Sequence, residues 1–198
     1  MSIGLAALIL GLMIFLGTHS VRIVADDWRS AQRDRLGEKA WKGAYALASL
    51  VGLALIVWGF GQARLQPVVL WTTPLWTRHL AAPLTLVAFV LLAAAEVPGN
   101  AIKARLQHPM VLGVKVWAFA HLLANNTLAD LLLFGAFLVW ALLDFRSARR
   151  RPAAAATSAP VVAVSAGRTA LTVVAGCVVW AVFAFWAHGW LIGVRPFG

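Results

Sequence analysis

The chain has 198 residues, of which 62% are apolar and only 12% charged, against roughly 25% charged in an average soluble domain. That balance excludes an ordinary soluble protein and points to an integral membrane protein of modest size. The single cysteine, Cys177, excludes an intrachain disulfide and any cysteine-rich metal site, so a bound metal must take histidine or carboxylate ligands. The formal net charge of +10 does not indicate nucleic acid, because the cations sit between apolar spans and not on a water-facing surface with base-reading groups. Lys and Arg beside membrane helices report orientation and contact with anionic lipid.

Six apolar segments can be drawn in chain order, at about Ile3–Val24, Trp41–Phe60, Leu75–Glu96, Pro109–Ala124, Thr127–Leu143 and Arg168–Leu191. The expected fold is an all-α polytopic membrane helix bundle of about six transmembrane helices, forming one membrane domain over residues 1–198. The first segment lacks a basic n-region and a small-x-small cleavage site, so it reads as a retained helix and not a secretory signal. The fourth and fifth segments are short and meet at Asn125-Asn126-Thr127, which predicts a helical hairpin with Thr127 and Asp130 as a capping box. Between the fifth and sixth, an Ala, Pro, Ser and Thr stretch from Pro152 to about Gly167 predicts a mobile cytoplasmic linker behind the basic cluster Arg146, Arg149, Arg150 and Arg151.

Lys and Arg in the connections number five from Arg29 to Lys42, two at Lys103 and Arg105, and five from Arg146 to Arg168; the alternate connections and tail hold only Arg64, Arg78 and Arg195. The positive-inside rule therefore places both termini outside the cytoplasm. Tryptophans agree, with Trp71, Trp76, Trp186 and Trp190 near one interface and Trp28, Trp41 and Trp140 near the other.

Ionisable groups inside spans cost a few kcal/mol each on insertion scales and so mark function more often than the same residues in water. Here they are His19, Arg22, His79, Glu96, His108, Lys115, His121, Asp130 and His188. His19 lies late in the first span with Arg22 on the same helical face; the guanidinium reads as snorkelling, as pairing with Asp26, or as neutralising a buried anion such as a propionate. His121, in Trp117-Ala118-Phe119-Ala120-His121-Leu122, is flanked by small residues that suit either a cofactor wall or close helix packing. His108 precedes Pro109 at a helix start, and Lys115, two turns deeper, has Glu96 as its nearest available counter-charge. Two histidines on different helices amid aromatics, with no cysteine ligand, suit a b-type haem; no CxxCH is present for covalent attachment. With the spans as drawn, His19 and His121 differ in depth by ~15 Å at 1.5 Å per residue. That leaves open ligation by this pair, by one histidine alone, or by His19 with His108. There is no GxSxG, HExxH, P-loop or GxGxxG.

The run Phe15-Leu16-Gly17-Thr18-His19-Ser20, then Leu36-Gly37-Glu38-Lys39-Ala40-Trp41-Lys42, then His108-Pro109-Met110-Val111-Leu112-Gly113 with Trp117-Ala118-Phe119-Ala120-His121-Leu122 resembles the NnrU family of bacterial membrane proteins, over nearly the whole chain. The resemblance implies a multi-pass protein of the bacterial inner (cytoplasmic) membrane that supports denitrification, through nitrite and nitric oxide reductase expression or function. It implies as partners membrane lipids and other denitrification membrane proteins, with a hydrophobic or small-molecule substrate left unnamed.

That family is in turn similar to the plant and cyanobacterial 15-cis-zeta-carotene isomerase, a haem b membrane enzyme. The similarity implies haem b (heme b) with His19 and His121 as iron ligands, His108 and Arg22 beside the cofactor, and an isomerase-like or redox activity. The isomerase has a cysteine three residues before its second ligand; this chain has Ala118. Two other readings remain. His108-Pro109-Met110 with Gly113 is also similar to the Arg-His-Pro-x-Tyr-x-Gly stretch of isoprenylcysteine carboxyl methyltransferases, though Gln107 and Val111 replace the Arg and Tyr. A cofactor-free assembly factor would use the buried polar residues only to fix helix register.

Overall fold

The computed structural model describes residues 2–150 and 163–197. The helices are α1 (Ile3–Val24), α2 (Asp26–Leu36), α3 (Glu38–Ala63), α4 (Leu75–Glu96), α5 (Ala101–Leu106), α6 (Pro109–Ala124), α7 (Leu128–Arg150), α8 (Ala166–Val182) and α9 (His188–Ile192). A π-helical turn, Phe183–Ala187, joins the last two; the His188 N–H donates to Phe183 O, five residues back. The protein is thus an all-α polytopic membrane bundle. Four of the helices and the α8–α9 continuation, five spans in all, are long and apolar enough to cross a bilayer. The sixth apolar helix, α6, has 16 residues and a length of ~24 Å, short of the ~30 Å hydrocarbon layer. Large apolar side chains such as Leu47, Val57, Val174 and Phe185 are exposed, as lipid-facing residues must be.

Contacts divide the chain into two compact units: residues 1–72 with 125–144, and 73–124 with 145–198. In the first unit, α1 lies along α3 on glycines spaced seven apart. A Cβ on Gly4 would stand 2.6 Å from Ala63 N, one on Gly11 2.6 Å from Ile56 N, and one on Gly52 2.7 Å from Phe15 N. Backbone therefore touches backbone, which lets dispersion hold two helices whose side chains gain nothing by leaving lipid. The capping box forms as the spacing predicts. The Asp130 N–H donates to Thr127 Oγ1 (3.2 Å), while Asp130 Oδ2 accepts from the Thr127 N–H (3.1 Å) and hydroxyl (2.5 Å). The same short connection pairs with the segment after α3: the Leu70 N–H donates to Asn126 O (2.9 Å) and the Leu128 N–H to Val68 O (2.8 Å).

In the second unit α4 packs against α6 and α8. Gly113 approaches Ala88 O, a Cβ on Gly176 would stand 2.6 Å from Val90 Cα, and Ala88, Ala94, Ala118 and Ala120 are fully buried. The Trp180 indole N–H donates to Thr85 Oγ1 at 3.0 Å, tying α8 to α4. Asn100, 1% exposed, caps α5: its amide donates to Ala94 O (2.9 Å) and Val97 O (2.5 Å), and its Oδ1 accepts from the Lys103 N–H (2.7 Å). The linker expected over 152–167 falls mainly on residues 151–162, outside the described residues. At its far end the Ser165 N–H donates to Gly99 O, and Ala166 and Gly167 already belong to α8.

These close approaches make a selective prediction. Gly11→Val should lower the thermal stability of the detergent-purified protein by about 1–3 kcal/mol through overpacking against α3. Gly61→Ala, on the same helix as Gly52 but with nothing within 4 Å of its added carbon, should leave it unchanged or slightly raised. Equal losses in a thermal melt would show that the α1–α3 contact is not what holds this unit.

Candidate functional site

His19 is the best-defined polar group within a span. It sits in the penultimate turn of α1, half-buried, and its Nδ1 lies 2.7 Å from Phe15 O. A carbonyl oxygen only accepts, so Nδ1 carries the proton and Nε2 keeps its lone pair. Aromatic rings close around it. Phe15 stacks on the imidazole at 4.3 Å and 28°, Tyr45 of α3 meets it edge-on at 5.2 Å, and Trp140 of α7 meets it edge-on at 6.1 Å and 89°. Phe137 extends the nest behind Phe15 at 5.8 Å. The indole N–H of Trp140 is buried without a hydrogen-bond partner, an arrangement that costs more in lipid than in water.

Arg22, three residues beyond His19, is exposed at the end of α1. Its expected partner Asp26 is taken instead by Arg29 at 3.3 Å, because α2 places that residue one turn on the same face. Arg22 therefore stands one turn from the imidazole with no ion pair among the described residues.

His121 and His108 belong to the second unit. The His121 Nδ1 lies 2.8 Å from Trp117 O, which fixes the same tautomer as at His19, and its ring packs on Trp117 at 5.0 Å. Ala118 and Ala120 beside it are fully buried. His108 precedes Pro109, which opens α6 as its fixed φ favours, and its ring meets Phe145 edge-on at 6.2 Å. His108 and His121 lie at opposite ends of α6, about 20 Å apart at 1.5 Å per residue, so those two do not share one ligand.

The expected Lys115–Glu96 ion pair is not formed. Lys115 Nζ lies over the Phe145 ring, 4.8 Å from its centroid, and Glu96 is exposed. The physical reason is reach: a flexible ammonium gains from an aromatic face close at hand without desolvating a carboxylate. His79 is exposed, and His188 donates from Nδ1 to Val194 O (2.6 Å), which folds the C-terminal segment back on α9. Asp130 is accounted for by its cap. Among the described residues no three His, Cys, Asp or Glu side chains gather closely enough to hold a metal ion by themselves.

Residue spacing did not bring Tyr45, Phe137 and Trp140 to His19, since they come from helices far away in sequence. The signal available was compositional: the chain's one tyrosine and a tryptophan at matching depth on two other spans. Trp140→Phe should leave thermal stability unchanged or raise it by up to about 1 kcal/mol, because it removes a donor that has no acceptor. A loss larger than the cavity left by the smaller ring accounts for, in a thermal melt, would show that the indole N–H is partnered in the membrane.

A family model described as NnrU protein matches residues 7–196. No curated protein and no solved structure matches the chain.

Proposed function

Because the chain belongs to the NnrU family, we propose that it is a haem b protein of the bacterial cytoplasmic membrane that supports denitrification, with His19 and His121 as its iron ligands. The observation that carries this reading is the clamp at His19. A metal-binding imidazole needs its second nitrogen held by an acceptor, which sets the tautomer and ring direction and raises the basicity of the ligating nitrogen. The Phe15 carbonyl does this for Nε2 of His19, where no hydrogen bond competes among the described residues.

The rest of the nest fits the same group. Phe15, Tyr45, Phe137 and Trp140 offer flat apolar faces suited to a macrocycle edge, and Arg22 offers an unpaired guanidinium one turn away for a carboxylate. His121, in the other unit, carries the same carbonyl clamp and enters as the second ligand on the resemblance alone. His108, whose ring meets Phe145 edge-on, is not one of the two iron ligands in this reading. Haem b, when bound, supplies one-electron chemistry or an iron that reports a small ligand. Ala118 stands where the isomerases carry a cysteine, so a thiol-linked exchange of ligands has no residue to perform it here. We therefore place the function with redox or sensing in nitrogen-oxide respiration ahead of isomerisation. Both termini lie outside the cytoplasm in this reading, following the basic connections.

The test is a visible spectrum with a pyridine haemochrome assay on the detergent-purified protein expressed with ample iron. A b-type spectrum near one haem per chain is expected. His19→Ala and His121→Ala should each lower haem retention roughly tenfold or more while membrane insertion persists. Undiminished haem in either variant removes that histidine from the assignment. A colourless, folded wild-type protein overturns the haem reading and leaves the assembly-factor one standing.

A further inference from the structure

Ten of the chain's 17 Lys and Arg residues, but only one of its 7 Asp and Glu, fall in the second unit. That one, Glu96, pairs with none of them among the described residues. Three basic side chains instead gather on one ring. Lys115 Nζ lies 4.8 Å and Arg149 Cζ 5.8 Å from the Phe145 centroid, and the His108 ring meets the same phenyl edge-on at 6.2 Å. An aromatic face attracts cations but accepts almost none of their N–H bonds, so the ammonium and guanidinium keep donors to spend.

Where the cluster sits narrows what could use those donors. Lys115 lies about 9 Å along α6 from Pro109, and Arg149 lies in the last turn of α7, so the ring gathers cations from near the start of one apolar helix and the end of another. Leu106 and Met110, on either side of His108, are exposed apolar residues at 40% and 50%. Lys103 and Arg105 precede them on α5, where the Lys103 ammonium donates to Ala95 O at 2.6 Å. A charged head beside an apolar wall, at the depth of the interface, is the shape of an amphipathic anion. A free oxyanion would use the cations and leave the wall unexplained.

We propose that Lys115, Arg149 and His108, gathered on Phe145, bind the phosphodiester of an anionic phospholipid in the leaflet that faces the basic connections. Phe145 spaces the two cations and holds their stems. Lys115 reaches back along its own stem from within the span, and Arg149 presents its planar fork from the helix end. The lipid headgroup supplies the counter-charge that this unit's own sequence lacks. The site makes no use of His19 and stands apart from the haem reading.

The experiment is native mass spectrometry of the full-length protein in neutral detergent, titrated with phosphatidylglycerol and, separately, with phosphatidylcholine. Phosphatidylglycerol should bind and phosphatidylcholine should not. Lys115→Gln and Arg149→Gln should each weaken phosphatidylglycerol about tenfold, as loss of a charge-assisted bond does, and Lys115→Arg should stay within about twofold of wild type. Arg78→Gln, at the start of α4, should change nothing. Equal binding of the two lipids overturns the proposal, and so does phosphatidylglycerol binding that survives in the Lys115→Gln/Arg149→Gln double variant. Full displacement of the lipid by millimolar inorganic phosphate would keep the oxyanion chemistry and overturn the lipid as its source. Haem content measured on the same samples separates this outcome from that of the His19 assignment.

Discussion

In hydrocarbon an apolar side chain gains nothing by turning away from its solvent, so two helices stay together only where their backbones come close enough for dispersion and weak polar contacts to add up. The pairing of α1 with α3 meets that condition through Gly4, Gly11, Gly52 and Gly59, each at a point where a side-chain carbon would strike the facing chain. The seven-residue interval on both helices keeps these contacts on one seam over several turns. Large residues are then free to face outward, and Leu47, Val57 and their neighbours do so. The place of His19 in the first unit depends on this seam.

His19 illustrates the dependence. It lies two turns past Leu12, the last buried residue of the seam on α1, and the seam sets where Tyr45 of α3 stands relative to it. The imidazole is fixed from three directions: by a carbonyl of its own helix, by the stacked Phe15, and by rings delivered from α3 and α7. A side chain held this way has little rotamer freedom left to lose on binding, and this is why the clamp carries more weight in the proposed function than the mere presence of a histidine in a span. The capping box at Thr127 acts at the other end of α7, setting the start of the helix that presents Trp140 and Phe137.

Much of the architecture was readable because the bilayer imposes a length. Apolar runs of the required extent gave α1 and α4 the limits Ile3–Val24 and Leu75–Glu96 that the structure has, and the shorter run Pro109–Ala124 gave those of α6. Local chemistry was equally legible where three or four residues decide it, as at Thr127 and Asp130 or at Pro109. The helices α2 and α5 escaped notice because their charged compositions read as connections; they form through caps and contacts, with Asn100 holding α5 and Asp26 pairing with Arg29 on α2. Side-chain pairing was the least readable layer. Sequence proximity offers Glu96 to Lys115 and offers Asp26 as one of three readings for Arg22, yet packing gives Lys115 the Phe145 ring and α2 gives Asp26 to Arg29. The nest around His19 was hidden for the same reason, since no spacing rule links residues 15, 45, 137 and 140.

Charge separates the two units as sharply as packing joins α1 to α3. The first unit holds six of the chain's 7 acidic residues, and three of its basic side chains each pair with one of them: Arg29 with Asp26, Arg33 with Asp34 at 3.8 Å, and Lys42 with Glu38 at 2.6 Å. These exposed pairs contribute little to stability, but they neutralise the segment that follows α1. The second unit has no such internal balance, and its cations stand where helices α5, α6 and α7 end. At a helix end in a bilayer, anionic lipid headgroups are an available counter-charge for cations that the chain itself leaves unpaired. The same asymmetry that orients the chain by the positive-inside rule thus also specifies which of its surfaces needs an anion. Phe145, a hydrophobic residue among arginines, is then the geometric element that turns a diffuse basic edge into a site with defined donors.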